Sequence, residues 1–140
     1  MTPVVKLSTT SLAALILGAS AVQIGTGLLR SPEAKISPAW ADALIELEPE
    51  GTMATRALTG RLARAIATDY ARAASAPEAP KPAPYPVQRG LTANMREHGQ
   101  RTNDVHRMQA WAGQAAAFAR AEPAGDFLRR LWAQAQELLP

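Results

Sequence analysis

The sequence contains no cysteine. That single absence excludes a disulfide framework, a thiolate metal site and a cysteine nucleophile, and it leaves the redox compartment open, because a cysteine-free chain is tolerated in either. Aromatic residues are scarce at 5%, which argues against a β-sandwich core; the abundant alanine favours helices packed through small side chains. Blocks of one charge are lacking too. The 15 basic and 12 acidic residues are interspersed, with no basic run threaded by aromatics, so nucleic acid is not an expected partner. Internal repeats, paired carboxylates, a nucleophile elbow and a P-loop are all missing. His98 and His106 form no i, i+4 pair of the kind a zinc site needs, and both read as surface histidines with no metal site.

What the chain does have is enough length, at 140 residues, for one modest domain. Its 11 prolines and 9 glycines keep any helices short. Residues 7–29 carry no charged side chain. A spanning helix needs about 20 predominantly apolar residues, and Ser8, Thr9, Thr10, Ser11, Ser20, Gln23 and Thr26 interrupt this run, so a membrane span is not expected. Two readings of the stretch stay open on local chemistry. In one, Lys6 supplies a positive n-region, Leu12 to Gly18 an apolar h-region and Ala19-Ser20-Ala21 an A-x-A cleavage site for export. In the other, Ser11 caps a helix over Leu12 to Leu17, Gly18 ends it, and Ala21 to Ile24 is a buried strand. Gly25-Thr26-Gly27 then forms a turn at the strand's carboxyl end, where ligands sit in α/β folds.

Further on, Ser37-Pro38 opens a helix with Trp40, Leu44 and Leu47 on one face, stopped by Pro49-Glu50-Gly51. Residues 52–60, "TMATRALTG", form a β-permissive connector ending at a glycine. The spacing predicts a helix from Arg61 to Ala74 that buries Leu62, Ile66, Tyr70 and Ala73. Arg61, Arg64 and Arg72 lie on its other side, where they are solvated, paired with acids such as Asp69, or placed to clamp an anion. "APEAPKPAPYPVQ", residues 76–88, reads as an extended proline-rich connector. Three helical pieces follow Gly90. Thr92 caps the first, to about Gln100; Asn103 or Asp104 caps the second, with Val105, Met108, Ala112, Ala115 and Ala119 on its face. Asp126 caps the last, which carries Leu128, Trp132, Ala135 and Leu139. The tryptophans read as core packing.

Several stretches, in order, resemble the C-terminal part of the nitronate monooxygenase family, formerly the 2-nitropropane dioxygenases. They are "LGASAVQIGTGLLRSPEA" at 17–34, "SPAWADAL" at 37–44, "TRALTGRLAR" at 55–64, "PYPVQRGLT" at 84–92 and "RMQAWAGQAAAFARAEPAGDFLRRLW" at 107–132. "VQIGT" by itself is weak, since other phosphate-binding barrels carry similar turns; "TRALTGRLAR" at its distance, followed by the tail, is specific.

The resemblance implies an α/β fold: the C-terminal fragment of a (β/α)8 TIM barrel, the strand-eight region, followed by a mostly helical C-terminal region. Residues 1–75 are then the barrel part, 76–89 the connector and 90–140 the helical segment. It implies FMN as cofactor and oxidation of a small alkyl nitronate by dioxygen to a carbonyl compound and nitrite. Ala21 to Ile24 becomes strand eight, with Gln23, Gly25 and Thr26 as cofactor-phosphate contacts, because phosphates sit at the loops after the last strands of such barrels. No catalytic residue carries over: the family's catalytic histidine belongs to an earlier part of the barrel, and His98 and His106 lie outside its motif. A complete barrel takes about 250 residues, so the expectation is a cytoplasmic fragment, inactive alone. The alternatives are a small exported helical protein cleaved after Ala21, and an interaction module whose protein partner supplies the missing strands of a split barrel.

Overall fold

The computed structural model describes residues 7–45 and 47–137. α1 spans Leu7–Ile16 and stops where the sequence says it must: Gly18 has φ +97°, a left-handed geometry that only glycine adopts without steric cost. At the other end of the chain α6, Ala124–Gln136, follows Pro123. α1 packs on α6. Phe127, Leu131 and Ala135, four residues apart, form the buried stripe of α6, and Leu12 is buried on α1. The expected face of this last helix is therefore corrected. Leu128 and Trp132 are 46% and 53% exposed, one helical step off the stripe, and Trp132 is not a core residue; Leu139 lies outside the described residues.

The chain forms two compact units, the first made of residues up to Lys35 with those from Phe118 onward, the second of Ile36–Ala117. In the second, β1 (Thr52–Thr55) and β2 (Ala63–Ile66) pair antiparallel, Thr52 opposite Ile66 and Thr55 opposite Ala63. The other edge of β2 is also occupied: Ile66 N–H donates to Ala110 C=O at 2.9 Å, Ala112 N–H donates to Arg64 C=O at 3.2 Å, and Ala65 bridges Trp111. This overturns the helix expected over 61–74. Ala63 to Ile66 is zipped on both sides, leaving only α3, Asp69–Ala73, whose N-cap Thr68 accepts from Ala71 N–H. Leu62 is 61% exposed. The helix expected over 105–119 fails for the same reason: after a 3-10 turn at Val105–Arg107, residues 110–112 pair with β2.

α2 covers Pro38–Asp42 and ends before Leu44, which is fully buried from the turn that follows. Its N-terminal amide at Ala39 is capped from far along the chain, by Asn103 Oδ1 at 2.9 Å, while the Ser37 hydroxyl donates to Met108 Sδ. The proline-rich stretch leads into α4, Val87–Leu91, and α5, Ala93–Thr102. α5 ends at Asn103 with φ 54°, a left-handed position that asparagine tolerates.

The "TRALTGRLAR" motif has a structural explanation. Ala57 C=O accepts from both Gln88 Nε2 (2.7 Å) and Tyr70 OH (3.2 Å), and Leu58 C=O accepts from the buried Thr92 hydroxyl (2.7 Å). Gly60 has φ +87°, and a Cβ there would stand 2.6 Å from both Ala83 O and Tyr85 N. Arg61 stacks over the Tyr85 ring at 3.9 Å. The motif is thus a hairpin loop whose backbone polar groups are satisfied by side chains from α3 to α5.

Candidate functional site

The stretch singled out by the sequence lies in the first unit. After Gly18 the chain runs without regular secondary structure from Ala19 to Ile24, then makes a 3-10 turn at Thr26–Leu28 with Gly25 at its N-cap. Leu28 N–H donates to Gly25 C=O at 3.0 Å, Leu29 N–H to Thr26 C=O at 3.1 Å, and Ser31 N–H to Leu28 C=O at 3.1 Å. Successive turns of this kind compress the chain and re-aim it away from residues 21–24. The strand expected at Ala21 to Ile24 forms no ladder among the described residues. A strand exists only through its neighbours, and none lies alongside these residues here.

Gly25 and Thr26 lie on this turn and Gln23 in the irregular segment before it, Gln23 and Gly25 exposed and Thr26 half-buried. Gly25 has φ −106°, which any residue adopts, and a Cβ built on it meets nothing within 4 Å. Neither backbone strain nor packing within this chain calls for glycine there, in direct contrast to Gly60. The space where a Gly25 side chain would project is open.

The turn is held from the same unit. Arg30 Nη1 donates to Ala119 C=O at 3.2 Å, and the Glu33 carboxylate accepts from Ala124 N–H at 3.1 and 3.2 Å, at the N-terminus of α6. Beside it, Leu15, Ala21, Val22, Ile24, Leu128 and Trp132 line an apolar cavity of about 440 Å³. The A-x-A stretch and the h-region are thus walls of a cavity closed by α6. Leu128 and Trp132, which the helical pattern read as packed residues, are its opposite wall.

The other candidates do not converge. Arg61 stacks on Tyr85, Arg64 Nη1 donates to Thr52 Oγ1 at 3.0 Å, and Arg72 Nε donates to Ala67 C=O at 2.9 Å, so no arginine clamp forms. Asp69 pairs instead with the exposed His106, Nδ1 to Oδ2 at 3.1 Å. His98 is exposed on α5. Among the described residues no group of histidines and carboxylates has the geometry to hold a metal ion, and no helix is long and apolar enough to cross a membrane. Burial raises the Tyr70 phenol pKa, against a smaller lowering by the hydrogen bond with Gln88. That phenol belongs to the hairpin knot.

Comparison with known proteins gives a consistent result. The family described as nitronate monooxygenase matches residues 10–134. A nitronate monooxygenase of Paraburkholderia phytofirmans is 37% identical over 123 residues, covering 85% of this chain and 32% of the relative. Among solved structures, nitroalkane oxidase from Streptomyces ansochromogenes superposes with a TM-score of 0.83 at 34% identity, over 96% of this chain and 38% of that one. FabK from Thermotoga maritima shares the fold, with a TM-score of 0.72 at 22% identity over 96% of this chain and 42% of that one. The chain spans about a third of the length of the Paraburkholderia relative it matches.

Proposed function

The chain belongs to the nitronate monooxygenase family, and from that premise we propose that it forms the C-terminal part of an FMN-dependent enzyme that converts an alkyl nitronate and dioxygen to a carbonyl compound and nitrite. The observation that carries the cofactor assignment is Gly25: an exposed glycine with an unstrained φ and open space where a Cβ would project. A backbone bare of a side chain there suits a group that approaches it from outside this chain, as a phosphate does. In this reading Gly25 admits the phosphate, Thr26 donates through its backbone N–H and hydroxyl, and Gln23 adds an amide contact. FMN, when bound, supplies the electron transfer between nitronate and dioxygen.

The chain's own contribution is positional. Arg30 ties the segment after the turn to Ala119, and Glu33 ties it to the N-terminus of α6; these bonds support a fixed placement of the phosphate contacts. No histidine of this chain lies on that turn, so the proton-handling group of the reaction comes from the portion of the barrel that the chain does not match. Residues 21–24 are the last barrel strand, completed by strands from that portion, and the chain alone turns over no nitronate. Export with cleavage after Ala21 runs against the packing: it would strip Leu12 and Leu15 from α6.

The test is to co-express the full chain with the two-thirds of the Paraburkholderia relative that it does not match. A complex that retains FMN and releases nitrite from a nitronate is expected. In Gly25→Val, FMN affinity falls at least about tenfold while riboflavin, which lacks the phosphate, is unaffected. A complex without flavin, or a variant that loses both flavins equally, overturns the assignment.

A further inference from the structure

A second cleft, of about 360 Å³, lies wholly within the other unit, and Trp40, Arg89, Arg96, Glu97, Gln109 and Trp111 line it. We propose that it binds a small aromatic carboxylate bearing a ring hydroxyl or amino group. The two partly buried indoles offer flat apolar walls, which suit a planar ring. Two guanidinium groups face one carboxylate, and among the described residues neither arginine forms an ion pair. That balance favours an anion.

Arg96 is also fixed in advance. Its Nε donates to Thr92 Oγ1 at 3.2 Å and its Nη2 to Arg89 C=O at 3.0 Å, while the Thr92 hydroxyl donates to Leu58 C=O at 2.7 Å. A guanidinium held through its Nε and Nη2 keeps Nη1 for a ligand and loses little entropy on binding. Finally, two of the residues that line the cleft carry a buried polar atom without a hydrogen-bond partner: Trp40 Nε1, a donor, and Gln109 Oε1, an acceptor. Buried polar atoms are nearly always paired. Turned toward the cleft, Trp40 Nε1 would donate to a ligand carboxylate, and Gln109 Oε1 or the exposed Glu97 carboxylate would accept from a ring hydroxyl or amine. None of Gln23, Gly25 and Thr26 lines this cleft, so the proposal stands apart from the flavin assignment.

The full chain, 15N-labelled at tryptophan, is titrated with 4-hydroxybenzoate and with the neutral 4-hydroxybenzamide. The expected result is a saturable shift of the Trp40 and Trp111 indole N–H resonances with Trp132 unmoved, and binding of the amide weaker by about tenfold or more. Arg89→Gln and Arg96→Gln each weaken binding several-fold, and Arg96→Lys, which keeps charge but loses the fork, weakens it as well. Arg89 is exposed on its helix, so Arg89→Gln folds normally, as an unchanged circular-dichroism melting curve verifies, and decides the matter if Arg96→Gln does not fold. No saturable shift up to about 10 mM, an equal response to the amide, or unchanged affinity in Arg89→Gln overturns the proposal.

Discussion

Gly60 and Tyr85 are in backbone contact: a Cβ on Gly60 would stand 2.6 Å from the Tyr85 amide nitrogen. The obstacle is main chain, not a side chain that can swing aside, and φ at Gly60 is +87°. Gly60→Ala therefore combines backbone strain with a steric clash and is expected to destabilise the chain by about 2–4 kcal/mol. Gly25→Ala, with neither penalty, stays within about 0.5 kcal/mol of wild type. Urea unfolding of the pair checks this, and equal midpoints would refute it.

Thr92→Val removes the hydroxyl that donates to Leu58 C=O without changing side-chain shape. It strands a buried carbonyl and releases Arg96 Nε, so a loss of about 1–3 kcal/mol is expected. Thr92→Ser keeps the hydroxyl and recovers most of it. Chemical denaturation of the three proteins tests the ordering.

Glu33 places a carboxylate on the first amide of α6, where Pro123 provides no side-chain cap. Glu33→Ala is expected to cost about 1 kcal/mol, and Glu33→Gln less. Because charge is part of the effect, the gap between wild type and Glu33→Gln should narrow in high salt. Thermal melts at two ionic strengths measure it.

The Arg130 guanidinium hydrogen-bonded to Glu122 holds the Glu122 carboxyl pKa below its ordinary value. A carboxyl whose folded pKa is depressed contributes stability that is complete above its unfolded pKa and lost as pH falls through the folded one. Glu122→Gln should thus be less stable than wild type at neutral pH, and the difference should vanish in acid. A difference that grows on acidification would contradict the ion pair. Melting temperatures of both proteins across that range give the answer.

Local signals were legible wherever the responsible partner lies within a few residues. Gly18 ends α1 through its own φ, and the Asp104 carboxylate accepts from His106 N–H. Ser37-Pro38 opens α2 as read, yet the Ser37 hydroxyl does not cap it. The turn at Gly25-Thr26-Gly27 was legible as a turn, since its residues are adjacent in the chain. The second cleft was not, because Trp40, Arg96 and Gln109 meet only in three dimensions; the one hint is the unpaired arginines at 89 and 96, seven residues apart.

The sequence by itself determined the stop of α1 at Gly18, the start of α2 at Ser37-Pro38, and the family, which is written in the order and spacing of its motifs; the helix starts read at Ser11 and Asp126 fall inside α1 and α6 instead. Tertiary structure alone decided that Ala63 to Ile66 is a strand despite its helical spacing. Its hydrogen bonds go to Thr52–Thr55 on one side and to residues 110–112 on the other, and no local pattern encodes partners that distant. It also decided which face of α6 is buried, and it moved the caps of α2 and α6 to Asn103 and Glu33. A helix end needs an acceptor for its amides, and the folded chain supplies it from whichever residue packing brings near.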